Sequence, residues 1–264
     1  MNTYVMSDIH GCYVEMCNMF DKIKFSENDQ LIIAGDYIDR GCQSYEMLCW
    51  IENVPDNILL LKGNHDVEFA HNIELMNKVI DNNNINMDLN DLNATKLIYE
   101  LTQKLLSENK NAALFDYYGT INNLINSRNV TLKKLLTWKT IIDNMPYLYK
   151  IKVCGKSFII VHAGYINKDD LQRTHYSSLE DFYLYARDEA YKYGGEKDSI
   201  IISGHTPTLS KSNISFNNGF VYKHFNKNKR CAFYNIDCGC SYKNSYSNSH
   251  LACIRLNDES IFYV

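Results

Sequence analysis

Gly35-Asp36-Tyr37-Ile38-Asp39-Arg40-Gly41 follows directly on the apolar run Leu31-Ile32-Ile33-Ala34. A short, β-branched run that halts at a glycine-bounded polar turn reads as a buried strand rather than a helix. The same construction recurs four times. Thr3 to Met6 leads into Ser7-Asp8-Ile9-His10-Gly11, and Ile58-Leu59-Leu60-Leu61 into Lys62-Gly63-Asn64-His65-Asp66. Phe158-Ile159-Ile160-Val161 leads into His162-Ala163-Gly164, and Ile200-Ile201-Ile202 into Ser203-Gly204-His205-Thr206-Pro207.

Working outward, Tyr13 to Ile23 and Tyr45 to Ile51 carry apolar residues at helical spacing and are long enough to be crossovers. Strand, loop, helix, strand is the grammar of an α/β sheet. The late runs Ala232 to Ile236, Leu251 to Leu256 and Ile261 to Val264 read as strands with little helix between them, and Asn257-Asp258-Glu259 as a hairpin turn. A mixed sheet is expected, parallel first and antiparallel late. Residues 67–145 carry no site motif and are mostly helical, including Thr95 to Leu106 and Leu132 to Ile142, with a polar loop from Asp81 to Asn93. This block reads as a helical insertion in one domain spanning 1–264.

Composition narrows the partners. Charged residues make up 22% of the 264 and the net charge is −4, which gives no support to a nucleic-acid or anionic-membrane partner. The nine cysteines follow no framework spacing, and the N-terminus shows no basic region, apolar run or cleavage site. No segment reaches the roughly 20 apolar residues of a membrane span. Reduced thiols in a cytoplasm are the expectation.

In an open α/β sheet, ligands sit beyond the carboxyl ends of the strands. Here those ends supply Asp8, His10, Asp36, Asn64, His162 and His205. Carboxylates, imidazoles and one amide carbonyl suit a borderline divalent ion such as Mn, Fe or Zn. Asp8 and His10 can be aimed at one ion by one turn, and Asp36 has two oxygens with which to bridge two. A lone histidine after an apolar run is ordinarily a hydrogen-bonded core residue, and Gly63-Asn64 is ordinary turn chemistry. Agreement among five strand ends is what a coincidence does not explain. Arg40 can fork onto phosphate oxygens. His65 is a candidate general acid, and Asp39 can accept a hydrogen bond from it and favour the imidazolium.

Taken together, Asp8-Ile9-His10-Gly11, the stretch from Gly35 to Gly41, Gly63-Asn64-His65-Asp66, His162-Ala163-Gly164 and Gly204-His205-Thr206-Pro207 resemble the PPP family. These are the metal-dependent serine/threonine protein phosphatases of the calcineurin-like metallophosphoesterase superfamily, and the bacterial and phage-like branch is the nearest. The resemblance runs from residue 1 to about 256 and is weakest across the helical block. It implies mixed β-sheets in a sandwich flanked by helices. It also implies two divalent ions, Mn²⁺ foremost. One would be held by Asp8, His10 and Asp36, the other by Asp36, Asn64, His162 and His205. By the same resemblance Arg40 binds phosphate and His65 with Asp39 forms the acid dyad. Tyr185-Ala186-Arg187-Asp188 resembles a short motif carrying a second phosphate-binding arginine, Arg187. Ile236-Asp237-Cys238-Gly239-Cys240 resembles the family's late strand end beside the site, a structural element rather than a metal or redox pair.

Two departures stand out. An Asn-Gly-Gly turn common in the branch has as its counterpart Asn122-Asn123-Leu124-Ile125-Asn126-Ser127-Arg128, without glycines. Asp66 stands where eukaryotic members usually have Glu, a conservative change expected to touch no ligand. The implied chemistry is in-line attack on phosphorus by a metal-bridging hydroxide, with Arg40 and Arg187 on the equatorial oxygens and His65 protonating the leaving group. Phosphoserine and phosphothreonine of proteins are the expected substrates, with phosphotyrosine or a small phosphoester also within reach. The first rival is symmetrical hydrolysis of diadenosine tetraphosphate by a related branch whose second motif typically lacks an acid at the Asp39 position. The second rival is an inactive metal-binding regulatory module, to which a poised acid is of no use.

Overall fold

The structure is a computed structural model that describes residues 1–108, 115–225 and 232–264. Part of the expected helical block, 109–114, lies outside the described residues. Two five-stranded mixed sheets face each other. In the first, β1 (Thr3–Met6), β2 (Gln30–Ile33) and β3 (Ile58–Leu60) run parallel, and β9 (Ala252–Arg255) and β10 (Ser260–Tyr263) add an antiparallel hairpin in the order β10-β9-β1-β2-β3. The second comprises β4 (Leu148–Val153), β5 (Lys156–Val161), β6 (Ser199–Ser203), β7 (Tyr222–Phe225) and β8 (Ala232–Asn235), in the order β4-β5-β6-β8-β7.

Successive strand residues point to opposite faces, so each sheet feeds two cores. Val5, Ile32 and Leu61 from the first sheet meet Phe158, Ile160, Ile202 and Tyr234 from the second, and this apolar layer joins the sheets. Their neighbours point outward. Tyr4, Met6, Leu31 and Ile33 pack under α1 (Tyr13–Ile23), α2 (Ser44–Ile51) and the helical block α3 (Asn64–Asn82), α4 (Leu92–Glu108), α5 (Thr120–Arg128) and α6 (Leu132–Asp143). Ile159, Val161, Ile201 and Phe233 pack under α7 (Leu179–Tyr185) and α8 (Asp188–Tyr193). The result is an α/β sandwich with helices outside both sheets, the calcineurin-like metallophosphoesterase fold.

Three sequence expectations need revision. The run at 232–236 forms a strand that is parallel to β6 on one side and antiparallel to β7 on the other. The edge strands β4 and β7 were not anticipated. Asn122 to Arg128 lies inside α5, and the turn preceding that helix is Asp116 to Gly119. Among the described residues, no helix is long and apolar enough to cross a membrane.

Candidate metal centre

Strands β1, β2 and β3 are mutually parallel, as are β5, β6 and β8, so their carboxyl-end loops gather at one edge of the sandwich. The loops are strained there. Asp8, His10, Asp36, Asp39, Arg40 and His205 all adopt positive φ, between 47° and 69°. Each such non-glycine residue costs on the order of 1–3 kcal/mol and persists only where its surroundings over-determine it. Here the loops hold one another. His10 N donates to Asp36 O at 2.9 Å, Gly11 N to Tyr37 O at 2.8 Å, and His205 N to both carboxylate oxygens of Asp8 at 3.0 Å. Two glycines allow this closeness. A Cβ on Gly63 would lie 2.2 Å from Asp36 Oδ1, and one on Gly204 would lie 1.8 Å from Asp8 Oδ2.

The six candidate ligands converge around Asp36. Its Oδ2 lies 3.4 Å from His10 Nε2 and 3.5 Å from His162 Nε2, a near-symmetric position between two donor groups. His10 Nε2 is 4.0 Å from Asp8 Oδ1 on one side. On the other, Asn64 Oδ1 lies 3.0 Å from His162 Nε2 and 2.9 Å from His205 Nδ1. Donors bound to one ion at about 2.1 Å in tetrahedral or octahedral geometry are themselves about 3.0–3.4 Å apart, so these spacings suit coordination.

The hydrogen bonds argue the same way. His10 Nδ1 donates to Ile38 O at 2.9 Å and His162 Nδ1 to Ala34 O at 2.8 Å, which leaves each Nε2 as an acceptor in the neutral ring. His162 Nε2 and Asn64 Oδ1 then face each other as two acceptors, and His205 Nε2 is buried without a hydrogen-bond partner. A cation satisfies two facing acceptors, whereas another donor-poor side chain does not. Burial holds the His10 and His205 imidazoles well below 6.5, and that of His162 below it too. Burial, then the neighbouring Asp8 and Asp66, pushes the Asp36 carboxyl well above the usual range. Neutral imidazoles beside crowded carboxylates fit divalent metal.

The remaining site residues surround this cluster. His65 Nδ1 donates to Asp39 Oδ2 at 2.7 Å. Arg40 forks inward, Nη1 to His10 Nε2 at 2.9 Å and Nη2 to His65 Nε2 at 3.0 Å, while its guanidinium lies 5.8 Å from the Tyr118 ring centre and 5.6 Å from that of Tyr242. Arg187 stands between α7 and α8, not on an exposed helix face, and its Nη1 donates to Thr206 Oγ1 at 3.3 Å, one residue beyond His205.

Several contributors escaped the sequence reading. Asp66, expected to touch no ligand, is fully buried. Its Oδ2 accepts from Asp36 N at 2.8 Å and Gly63 N at 2.9 Å, and its Oδ1 from Tyr37 N at 3.1 Å. An acid three positions after a helix-initiating glycine is an N-terminal capping signal, and it was there to be read. Asp237 follows β8 at the same sandwich edge as the ligands, buried, with Oδ2 unpartnered and its carboxyl pushed well up by burial and then by Asp8. The strand-end rule that picked out Asp8 and Asp36 applies to it equally.

A family model described as calcineurin-like phosphoesterase matches residues 1–238, and the chain belongs to that family. It is a metallophosphoesterase. Among curated proteins it is 30% identical, over 172 residues, to a symmetrical bis(5'-nucleosyl)-tetraphosphatase of Wigglesworthia glossinidia brevipalpis; the match covers 65% of this chain and 47% of that protein. Over 68 residues it is 43% identical to the like-named protein of Buchnera aphidicola subsp. Baizongia pistaciae, covering 25% of this chain and 24% of that one. The chain therefore matches less than half the length of these relatives. A solved serine/threonine phosphatase from Saccharomyces cerevisiae shares the fold at 12% identity, with a TM-score of 0.54 over 100% of this chain and 79% of that one.

Proposed function

We propose that this metallophosphoesterase hydrolyses dinucleoside polyphosphates symmetrically, with diadenosine tetraphosphate as the type substrate. This moves the weight from the phosphoprotein reading that the motifs alone favoured. The observation that carries it is the shape beyond Arg187. There a groove of about 590 Å³ is lined by His175, Tyr176, Tyr185 and Asn213 as well as Arg187, and by the carboxylates of Asp188 and Glu189, the second of which pairs with His175 at 2.6 Å. Tyr185 lies between this groove and the centre, its ring 6.5 Å from that of His205. A phosphate-binding cation opening onto aromatic side chains suits a phosphate chain that ends in a nucleoside. The curated relatives quoted above carry the same activity in their names.

Asp8, His10 and Asp36 would hold one divalent ion, and Asp36, Asn64, His162 and His205 a second. Such a pair supplies Lewis acidity and an activated water at neutral pH, so the reaction needs no protein nucleophile. The protein's own residues do the rest. Arg40 and Arg187 neutralise non-bridging phosphate oxygens. Arg40 must release both His10 Nε2 and His65 Nε2 to do so; His65 Nε2, which accepts from Arg40, is then free to take up a proton from solvent and pass it to the leaving phosphate oxygen. Asp39 keeps the ring oriented through Nδ1.

A second reading, hydrolysis of phosphoserine or phosphothreonine in proteins, is favoured by one observation. Asp39 is in contact with His65 at 2.7 Å, and the dinucleotide branch typically lacks an acid at that position. One assay separates the two. With Mn²⁺ added, turnover of diadenosine tetraphosphate to two ADP is compared with phosphate release from a phosphoserine, phosphothreonine and phosphotyrosine peptide panel, with His65→Ala as control. Faster dinucleotide cleavage, lost in the variant, supports the proposal. Faster release from peptides replaces it with the second reading.

A further inference from the structure

The helical block between β3 and β4 does more than cover the first sheet. The turn Asp116 to Gly119 and the first residue of α5 that follows it reach the acid dyad at two points. Thr120 Oγ1 donates to Asp39 Oδ1 at 2.5 Å, and the Tyr118 ring lies 4.8 Å from that of His65. Tyr117 stands edge-on to Tyr118 at 4.9 Å and is the more exposed of the two. These are large aromatic side chains left in solvent, 72% exposed for Tyr117 and 42% for Tyr118. Burial of such rings is strongly favourable, so a pair left exposed at the mouth of a site is a surface suited to a ligand.

The turn beneath them is rigid. Asp116 Oδ1 accepts from Ile121 N at 2.9 Å, while Oδ2 accepts from Asn122 N at 2.8 Å and from the Tyr99 hydroxyl at 2.9 Å. Gly119 N closes it onto Asp116 O at 2.7 Å. With the backbone of the turn fixed, only side-chain freedom remains to be lost when something stacks on the rings.

Their position also says what stacks. A general acid at His65 must face the leaving oxygen, so the leaving group departs past Tyr118 and then Tyr117. We propose that Tyr117 and Tyr118 form the subsite for the leaving nucleoside diphosphate, Tyr118 walling its phosphate and ribose and Tyr117 stacking its base. The assignment rests on the dinucleotide reading above, and it gives the insertion a role in substrate selection.

The test is calorimetric binding of ADP and of inorganic diphosphate to the Mn²⁺-loaded protein and to Tyr117→Ala and Tyr117→Trp. Because Tyr117 is so exposed, neither substitution disturbs the fold. Stacking on one base supports a loss of roughly ten-fold in ADP affinity in Tyr117→Ala. Inorganic diphosphate should bind both proteins equally, and Tyr117→Trp should restore ADP. Equal ADP affinity in the wild type and Tyr117→Ala overturns the subsite. The substrate reading is judged separately, by whether the wild type cleaves diadenosine tetraphosphate at all.

Discussion

Asp66→Asn probes how far the centre depends on a residue outside the candidate ligand set. The carboxylate accepts three backbone N–H groups, from Gly63, Asp36 and Tyr37, in a fully buried position. Burial pushes its carboxyl up to about 7 against the pull of those donors. Asparagine keeps one acceptor oxygen and replaces the other with an NH₂ group. In its better orientation the oxygen keeps Asp36 N and Gly63 N, and the NH₂ is set against Tyr37 N. One charge-assisted bond is lost and a buried donor is stranded, at a cost of roughly 1.5–3 kcal/mol. At about 2–4 °C per kcal/mol for a chain of this size, the melting temperature should fall by roughly 3–12 °C. The bridging position should suffer as well. Asp36 is held among the candidate ligands by its own backbone N–H, and loss of such an outer contact typically weakens metal binding about 10–100-fold. Thermal unfolding of the metal-free protein and Mn²⁺ titration of the variant read the two effects independently. An unchanged melting temperature with full Mn²⁺ affinity would refute the idea that Asp66 holds Asp36 in place.

Other outcomes follow from the same geometry. His65→Ala should keep its metal content, since no candidate ligand is removed, while turnover falls about 10²-fold or more; metal loss in step with activity would reassign His65. Gly204→Ala puts a Cβ 1.8 Å from Asp8 Oδ2 and 2.0 Å from Ser7 Oγ, and should cost about 1–3 kcal/mol with weakened metal binding; a variant as stable and as well loaded as the wild type would mean that this loop yields freely. For pH, His10, His162 and His205 titrate below 6.5 in the folded chain but near it when unfolded. Between those values the unfolded chain takes up more protons at these three rings, so their contribution to the stability of the metal-free protein is lost as pH falls below about 6.5. Mn²⁺ affinity should decline further into acid, as protons begin to compete for the ligands. The raised carboxyls of Asp36, Asp66 and Asp237 act with the opposite sign over the same range, so the rings are best followed one by one: NMR titration of the metal-free protein in which all three imidazoles protonate near 6.5 would contradict their placement.

The strand ends were readable because two local signals coincide in them. A β-branched run specifies a buried strand, and the glycine turn behind it permits the close approach of another loop. That was enough to nominate all six candidate ligands. Edge strands carry weaker signals. In β4 the apolar positions of Leu148, Ile151 and Val153 are interleaved with Lys150 and Lys152, and the partly exposed face of the strand dilutes the pattern. The four residues of β7 are too few to show a period.

What could not be read is how the insertion meets the site. Nothing in Asp116-Tyr117-Tyr118-Gly119-Thr120 distinguishes it locally from a solvent-facing turn; the polar stretch at Asn122 to Arg128 looked at least as suitable. The difference is made by contacts far apart in sequence, 81 residues between Thr120 and Asp39 and 197 between His205 and Asp8. Strand-end ligands follow from a rule of the fold, since every parallel strand delivers its carboxyl end to the same edge. The placement of Tyr117 and Tyr118 beside His65 does not, because it depends on where four helices come to rest against the first sheet. The candidate ligands of this chain were therefore visible in its motifs, while the aromatic surroundings of Asp39 and His65 lie in packing that only the folded chain displays.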